Sequence, residues 1–328
     1  MAYTTIDDPE LYFQNKIYSG DGNDDRSITL DGSENMQPDM VWLAERNTTS
    51  GHAIHDSARG VDKFMFPYTT TAEGTSTARV KSFDSNGFTV GTSGATNGSS
   101  DTYVAWCWKE SATAGFDMVT YTGTGSARTI AHNLGAVPKW IICKSRSDAT
   151  RWDVYHASIG ATKHMRLNTT DAERTSSAVF NNTEPTSSVF SLGNGAAVNA
   201  SSETFIAYLF SEIKGYSKFG SYTGNGNASG PYIYTGHKPA MIIIKRTDVA
   251  KNWYINDNLR EGYNNDNPYI SPNLSVAETG GTEIDILSNG FRITASGTGH
   301  NQSGGTYIFM SIAENPLVTS TGVPATAR

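Results

Sequence analysis

Apolar residues in this chain come in short runs, separated by turns rich in glycine, asparagine and serine. The runs 140–143 and 205–210 are apolar at every position. A short apolar run between turn signals is typical of a strand that is covered on both faces. Asn-Gly pairs at 86–87 and 289–290 stand before short alternating runs, which predicts tight hairpin turns. The pattern therefore predicts an all-β protein with many short antiparallel strands.

The same pattern occurs three times along the chain. Its markers are a tyrosine-glycine turn (18–22, 121–125 and 222–226), a strand near a proline (Pro38, Pro138 and Pro239) and a closing aromatic strand (101–108, 203–210 and 306–312). The period of about 100 residues is too long for a solenoid unit and fits a complete small β domain.

We therefore expect three tandem antiparallel β-sandwich domains of the jelly-roll or lectin-like type. The predicted boundaries are an N-terminal docking arm (1–17), three sandwich repeats (18–110, 119–213 and 219–316) and a C-terminal strap (317–328). The arm contains too many apolar residues for a solvated tail, so we expect it to pack against a neighbouring domain or another subunit.

The strands that are apolar on both faces need a second cover besides their own sandwich core. Loops, a sister copy or another chain could supply it. Together with the apolar arm, these strands favour a symmetric homo-oligomer, with a trimer preferred.

Composition excludes several classes of protein. Net charge is −7, the sequence pI is about 5.5, and lysine and arginine form no run longer than a pair, which argues against nucleic-acid binding. The start of the chain lacks the pattern of a signal peptide, and no apolar run is long enough for membrane insertion. Cys107 and Cys143 fall at non-equivalent positions of different copies, so we expect two buried free thiols.

Motifs for catalysis or metal binding are weak. The Gly-x-Gly pieces at 123–125 and 224–226 lack the helix that phosphate cradles require and are interpreted as turns. The acidic run 21–25 is interpreted as surface acidity, with an irregular calcium site as the alternative, because Arg26 and Gly32 stand where a calcium loop needs glycine and glutamate. The histidines are not spaced for zinc, and no nucleophile elbow is present. We expect no enzyme activity, no cofactor and no metal.

One aromatic group is a candidate carbohydrate platform. It consists of Trp152, Tyr155 and His156 in the second copy and Trp253 and Tyr254 in the third. Sugars stack their apolar faces on exposed rings while polar side chains bind the hydroxyls. The alternative interpretation is that these rings alternate into the sandwich core.

The second copy resembles a known kind of domain. It combines the Tyr-Thr-Gly-Thr-Gly turn, His-Asn-Leu-Gly-Ala-Val-Pro (132–138), Trp-Asp-Val-Tyr-His (152–156) and Ala-Tyr-Leu-Phe (207–210). This pattern is similar to a repeated domain of unknown function common in virion and tail-fibre-like proteins of marine bacteriophages. The resemblance implies a structural or adhesive virion component, made in the host cytoplasm, with no catalytic residues.

The expected function is thus a non-enzymatic phage virion protein, tail-fibre-like or spike-like, that contributes to host-surface attachment. Its expected partners are other virion proteins, reached through the arm, and a host-surface glycan. The alternatives are a capsid decoration or collar protein without receptor contact, and a carbohydrate-binding or glycan-degrading protein. Function is to be sought where the copies differ, in the loops around 47–60, 146–164 and 247–268 and at the two ends.

Overall fold

The computed structural model describes residues 2–260, 264 and 267–324. Strands account for 42% of the chain and helices for 5%, and the strands pair in antiparallel sheets. The prediction of an all-β protein is confirmed. Residue 1 of the predicted arm, part of the loop 247–268 and residues 325–328 of the predicted strap lie outside the described residues.

The first segment, residues 13–108, forms two sheets and a small ribbon. Its strands are β1 (Phe13–Ser19), β2 (Arg26–Thr29), β3 (Met40–Glu45), β4 (His52–Asp56), β5 (Lys63–Phe64), β6 (Gly74–Thr75), β7 (Val80–Asp84), β8 (Gly87–Val90) and β9 (Thr102–Trp108). The main sheet has the order β1-β9-β3-β4, the second sheet β2-β8-β7, and the ribbon pairs β5 with β6. A helical turn, α1 (Gly94–Asn97), precedes β9, and a 3-10 turn (Pro9–Leu11) precedes β1.

The second segment, residues 116–211, repeats this plan. Its strands are β10 (Phe116–Thr122), β11 (Arg128–Ala131), β12 (Pro138–Ser145), β13 (Asp153–His156), β14 (Lys163–Arg166), β15 (Arg174–Thr175), β16 (Val189–Leu192) and β17 (Thr204–Ser211), and its helices are α2 (Ser177–Phe180) and α3 (Ala196–Asn199). The main sheet runs β10-β17-β12-β13-β14-β15, and β11 pairs with β16.

The third segment, residues 217–316, has two sheets. Its strands are β18 (Ser217–Thr223), β19 (Tyr232–Tyr234), β20 (His237–Arg246), β21 (Trp253–Asp257), β22 (Ile284–Leu287), β23 (Gly290–Ile293) and β24 (Thr306–Pro316). The orders are β18-β24-β20-β21 and β19-β23-β22. Among the helices that the structure describes, none is long and apolar enough to cross a membrane.

Strand register gives a residue-by-residue correspondence between the segments. Trp42 pairs with Trp106, Ile142 with Tyr208, and Ile243 with Met310. Positions 42, 142 and 243 are therefore equivalent. The division into three separate domains at the boundaries given above stays a prediction.

Each main sheet buries both of its faces. On β12, Ile141 and Cys143 pack in a cluster with residues of β11 and β16, which is a sandwich-like core within one segment. Trp140 and Ile142, on the other face of β12, belong to a cluster shared by all three segments. We call this shared group the central cluster; among its members are Met40, Trp42, Trp106, Trp108, Trp140, Ile142, Tyr208, Phe210, Met241, Ile243, Met310 and Ile312.

Contacts within the central cluster show which part of the protein covers the second face of each main sheet. Ring centroids of Trp140 and Trp253 lie 5.7 Å apart, and those of Trp108 and Phe210 lie 6.3 Å apart, so the contacts run between segments of one chain. Sister copies thus cover these faces. The homotrimer stays a prediction, and it loses the support that uncovered faces would have given it.

Two smaller sequence interpretations are settled by local geometry. Cys107 and Cys143 are buried free thiols, as predicted. A Cβ at Gly123 would lie 2.1 Å from the backbone oxygen of Ala200, and Gly125 has φ +71°. The second position favours glycine because it lies in the left-handed region, and the first because the backbones approach too closely for a side chain. The Gly-x-Gly piece at 123–125 is therefore a turn.

The N-terminal arm packs on the third segment and on the connection that precedes it. The Thr4 hydroxyl donates to the Lys214 carbonyl at 2.8 Å, the Tyr3 hydroxyl donates to the Gly236 carbonyl at 2.8 Å, and Ile6 is buried in the central cluster. Of the two expected positions for the arm, the structure shows the neighbouring segment of the same chain. Contact of the arm with other virion proteins stays a prediction.

The described part of the C-terminal strap folds back on the arm. Thr319 N–H donates to the Val323 carbonyl at 2.8 Å, and Ser320 N–H donates to Asp7 Oδ1 at 2.5 Å. These contacts bring the two ends of the described chain to one place.

Candidate functional site

The three segments meet along three seams, and an equivalent backbone hydrogen bond occurs at each of them. We call these the first seam (first and second segments), the second seam (second and third) and the third seam (third and first). At the three seams in turn, the N–H groups of Glu73, Glu173 and Glu278 donate at 2.8 Å to the carbonyls of Arg146, Thr247 and Arg46. The seams thus have the same frame, and their side chains can be compared position by position.

The first seam contains a buried ionic network. The Asp56 carboxylate accepts hydrogen bonds at 2.6 Å from Arg59 Nε and from the Tyr208 hydroxyl of the second segment. Glu73 binds Arg146 through two bonds of 2.9 and 3.1 Å, and Arg59 Nη1 lies 3.3 Å from the same carboxylate. Asp56 and Arg59 have no exposed side-chain surface, so each charge depends on its partners.

The third seam has the same network. Arg260 Nε donates to Asp257 Oδ2 at 2.7 Å, and the Trp106 indole of the first segment donates to the same oxygen at 3.0 Å. Arg46 binds Glu278 through two bonds of 3.0 and 2.7 Å. Two of the three seams are therefore held by an aspartate, a glutamate and two arginines.

The second seam departs from this plan. Strand register places His156 where the other segments have Asp56 and Asp257, since the strand partners are Trp140, Met40 and Met241. Ile159 follows at the position of Arg59, and Thr247 takes the position of Arg146. Without an arginine across the seam, Glu173 pairs with Lys163 of its own segment.

A cleft of about 560 Å³ lies at the second seam, lined by Ile159, Glu173 and Thr247, the positions that carry the network at the other seams. Hydroxyl side chains line much of the rest, namely those of Ser158, Ser221, Thr223 and Thr306. Lys163, Tyr222, Tyr307 and Ile308 complete the lining. This cleft is our candidate functional site.

His156 closes the inner side of this seam in one defined tautomer. Ser158 N–H donates to His156 Nδ1 at 3.0 Å, so the ring proton is on Nε2, which donates to the Phe309 carbonyl of the third segment at 3.2 Å. Burial lowers the pKa of His156 to about 4. A second proton would have to displace the Ser158 bond, so the ring stays neutral at pH 7.

The predicted aromatic platform is not present at its residues. Trp152, Tyr155, His156, Trp253 and Tyr254 are all buried. The Trp152 indole donates across the first seam to the Phe66 carbonyl at 3.1 Å, and the Trp253 indole donates across the second to the Arg166 carbonyl at 2.9 Å. These rings have no exposed face for a sugar, and the alternative interpretation as core residues is the one that the structure supports.

The acidic run 21–25 is committed to local contacts. The Asp21 carboxylate accepts from Asn23 N–H at 2.9 Å and from the Asn97 amide at 3.1 Å, and both Asp24 and Asp25 pair with Lys81. In the part of the chain that the structure describes, no group of three or more His, Cys, Asp or Glu side chains is arranged to hold a metal ion.

A buried polar group in the second segment has the residue types of a catalytic site. His164 Nε2 lies 3.5 Å from Asp153 Oδ1, and Cys143 is in the same segment. Burial raises the pKa of Asp153 to about 6, lowers that of His164 to about 4 and raises that of the Cys143 thiol. All three are buried, so this group has no surface on which to meet a substrate.

Sequence reasoning missed two exposed tyrosines. Tyr232 and Tyr234 are 47% and 51% exposed on β19, while Ile233 between them is buried. Register aligns Ile233 with Ile28 and Ile130, because all three pair with a phenylalanine. The tyrosines replace small residues, Ser27 and Thr29 in the first segment and Thr129 and Ala131 in the second. Aligning the copies strand by strand would have found both this pair and the missing arginines.

A family described as Domain of unknown function (DUF7483) matches residues 8–316 of the chain. The chain belongs to this family. The matched region includes all three segments, so the DUF7483 domain contains the three seams and all of the central cluster except Ile6. No curated protein matches the chain.

We expect Arg59→Ile, which copies the residue at the second seam, to destabilise this DUF7483 chain by about 3–5 kcal/mol, because it leaves Asp56 buried without its cation. Urea unfolding followed by tryptophan fluorescence measures the effect. The control is Arg174→Ile, because Arg174 is exposed and should cost less than about 1 kcal/mol. The double variant Asp56→His/Arg59→Ile should recover part of the loss. Equal stabilities of R59I and R174I would contradict the role of the network.

His156 should make the second seam sensitive to acid. Its folded pKa of about 4 lies below the ordinary value of 6.5, so below pH 6.5 the unfolded chain binds the additional proton. The stabilisation is complete above pH 6.5 and declines as the pH falls toward 4. Between pH 6.5 and 5 the native chain should lose about 1.6 kcal/mol more than His156→Gln. Parallel unfolding free energies against pH for the two proteins would contradict this assignment.

Proposed function

We propose that the chain is a non-enzymatic structural protein of a bacteriophage virion, tail-fibre-like or spike-like, that contributes to host-surface attachment. The resemblance of the second copy to repeated domains of phage virion proteins supports the setting. The observation that carries the structural role is the set of seams. Charged groups at the first and third seams are used to hold segments together rather than presented to a substrate.

We further propose that each segment is a jelly-roll-like sandwich domain and that the three act as one rigid block. The shared central cluster supports this, because separating the segments would expose tryptophans from each of them. A block of this kind suits a part of a particle that must keep its shape outside the cell.

The exposed pair Tyr232 and Tyr234 favours attachment over the alternative of a decoration or collar protein. Exposed aromatic side chains are enriched where proteins meet partners, and both rings stay about half exposed although the Tyr234 hydroxyl also lies 3.0 Å from the Tyr3 hydroxyl of the arm. The pair appears in one segment only, as a feature added to a repeated scaffold would.

The virion location can be tested on particles purified from the phage that encodes the chain. Antibodies raised against the recombinant protein should give immunogold label on the fibres or tail tip, and excess recombinant protein should slow adsorption of the phage to its host. The double variant Tyr232→Ser/Tyr234→Thr serves as a folded comparison in the adsorption assay. Label confined to the capsid, with no effect on adsorption, would support the decoration alternative, and absence from the particle would overturn the proposal.

The proposed trimer can be tested by light scattering on the purified chain. A trimer should give three times the chain mass of 35.4 kDa, independent of concentration above micromolar. A mass of one chain at all concentrations would rule the trimer out, while leaving the virion location open.

A further inference from the structure

The cleft at the second seam has the size of a ligand site. Its volume of about 560 Å³ falls within the range of about 300–1,000 Å³ that is common for small-molecule sites. It lies between two segments, and binding sites often lie at such boundaries. A backbone hydrogen bond of 2.8 Å from Glu173 to Thr247 joins the two segments at the cleft.

The chemistry of the walls favours a neutral, hydroxyl-rich ligand. Among the described residues that line the cleft, Lys163 and Glu173 carry the charge, and they form an ion pair whose sum is zero. A paired ammonium and carboxylate place a donor beside an acceptor, which matches two neighbouring hydroxyl groups of a sugar ring. Around this pair stand serine and threonine hydroxyls, which can both donate and accept.

The third-segment wall of the cleft is one face of β18 and β24, which carries Ser221, Thr223 and Thr306. The rings of Tyr222 and Tyr307 are stacked, with centroids 4.8 Å apart and an interplanar angle of 6°. The Tyr222 hydroxyl donates to the His300 carbonyl at 2.8 Å, and both rings lie on the other face of the sheet, against the core of the third segment. The cleft therefore presents hydroxyl groups, rather than an aromatic ring, to a ligand from this side.

The cleft also stands apart from the corresponding places in the same chain. At the first and third seams, Arg146 and Arg46 extend to a glutamate across the seam and occupy the equivalent position. At the second seam Thr247 leaves that position open and keeps its hydroxyl on the Thr306 hydroxyl at 2.7 Å. The repeat thus supplies its own comparison between a filled seam and an open one.

We propose that the cleft at the second seam binds a neutral saccharide, with Lys163 and Glu173 on neighbouring hydroxyls and the serine and threonine hydroxyls of the third segment around the sugar ring. The proposal deepens the attachment role and rests on it, since it names the class of host-surface molecule that would be recognised.

The decisive variant is Thr247→Arg, which copies the first and third seams. The new guanidinium should bind Glu173 and fill the cleft, so the protein should be at least as stable as the native chain while its saccharide affinity falls about tenfold or more. Thr129→Arg is the matched control, because it adds the same charge at an exposed strand position outside the cleft. Lys163→Met should also weaken binding without unfolding the chain.

The probe is an array of neutral and acidic microbial oligosaccharides, followed by calorimetric titration of each positive compound. Binding of neutral oligosaccharides that T129R keeps and T247R loses would support the proposal. Binding that survives T247R but is lost in Tyr232→Ser/Tyr234→Thr would overturn it by moving the site to β19. Binding of acidic glycans alone, or of none, would overturn it as well. Immunogold labelling of the particle is independent of these results, so failure of the cleft is distinguishable from failure of the virion assignment.

Discussion

The need to cover the second face of each main sheet is the constraint on which the structure depends. Alternate residues of β12 point to opposite sides, and both sets are apolar, so a single sandwich leaves Trp140 and Ile142 uncovered. Burial of a large apolar side chain is worth about 1.5–3 kcal/mol, and each segment contributes several to the central cluster. Assembly of three segments around a common core satisfies all three sheets at once.

The seams follow from that assembly. Once the apolar faces meet, polar groups near the edges of the sheets lose water and must find partners. Asp56 and Asp257 do so with a buried arginine and a hydroxyl or indole donor from the next segment. His156 meets the same requirement as a neutral ring with one bond given and one received. Because a neutral histidine needs no arginine as a partner, the second seam can lack both arginines. The space that they fill at the other two seams is then open as the cleft.

Much of the strand content could be predicted from the sequence, and the contacts between segments could not. The recurring prolines and the aromatic strands identify β3, β12 and β20 with their partners, because alternation and turn residues are local signals. The surface that covers Trp140 comes from residues far away in the sequence. The Trp140 side chain is equally apolar whether a loop, a sister segment or another chain covers it, so the sequence pattern does not distinguish the three. For the same reason the platform predicted at Trp152 and Trp253 was wrong. The sequence does not show whether a tryptophan in an alternating strand is exposed or buried. The importance of Thr247 was missed because it is seen only when this residue is aligned with Arg46 and Arg146 of the other two segments.

The contact between Asp7 and Ser320 has a mechanical consequence. Because the arm lies on the third segment and the strap returns to the arm, a force applied through these two places acts at one spot on the surface. Such a load would peel the arm away one hydrogen bond at a time and would not shear the three main sheets past one another. Apart from Ile6, which belongs to the arm, the central cluster lies outside the line of tension, so a pull on both ends loads the arm before it loads the rest of the core.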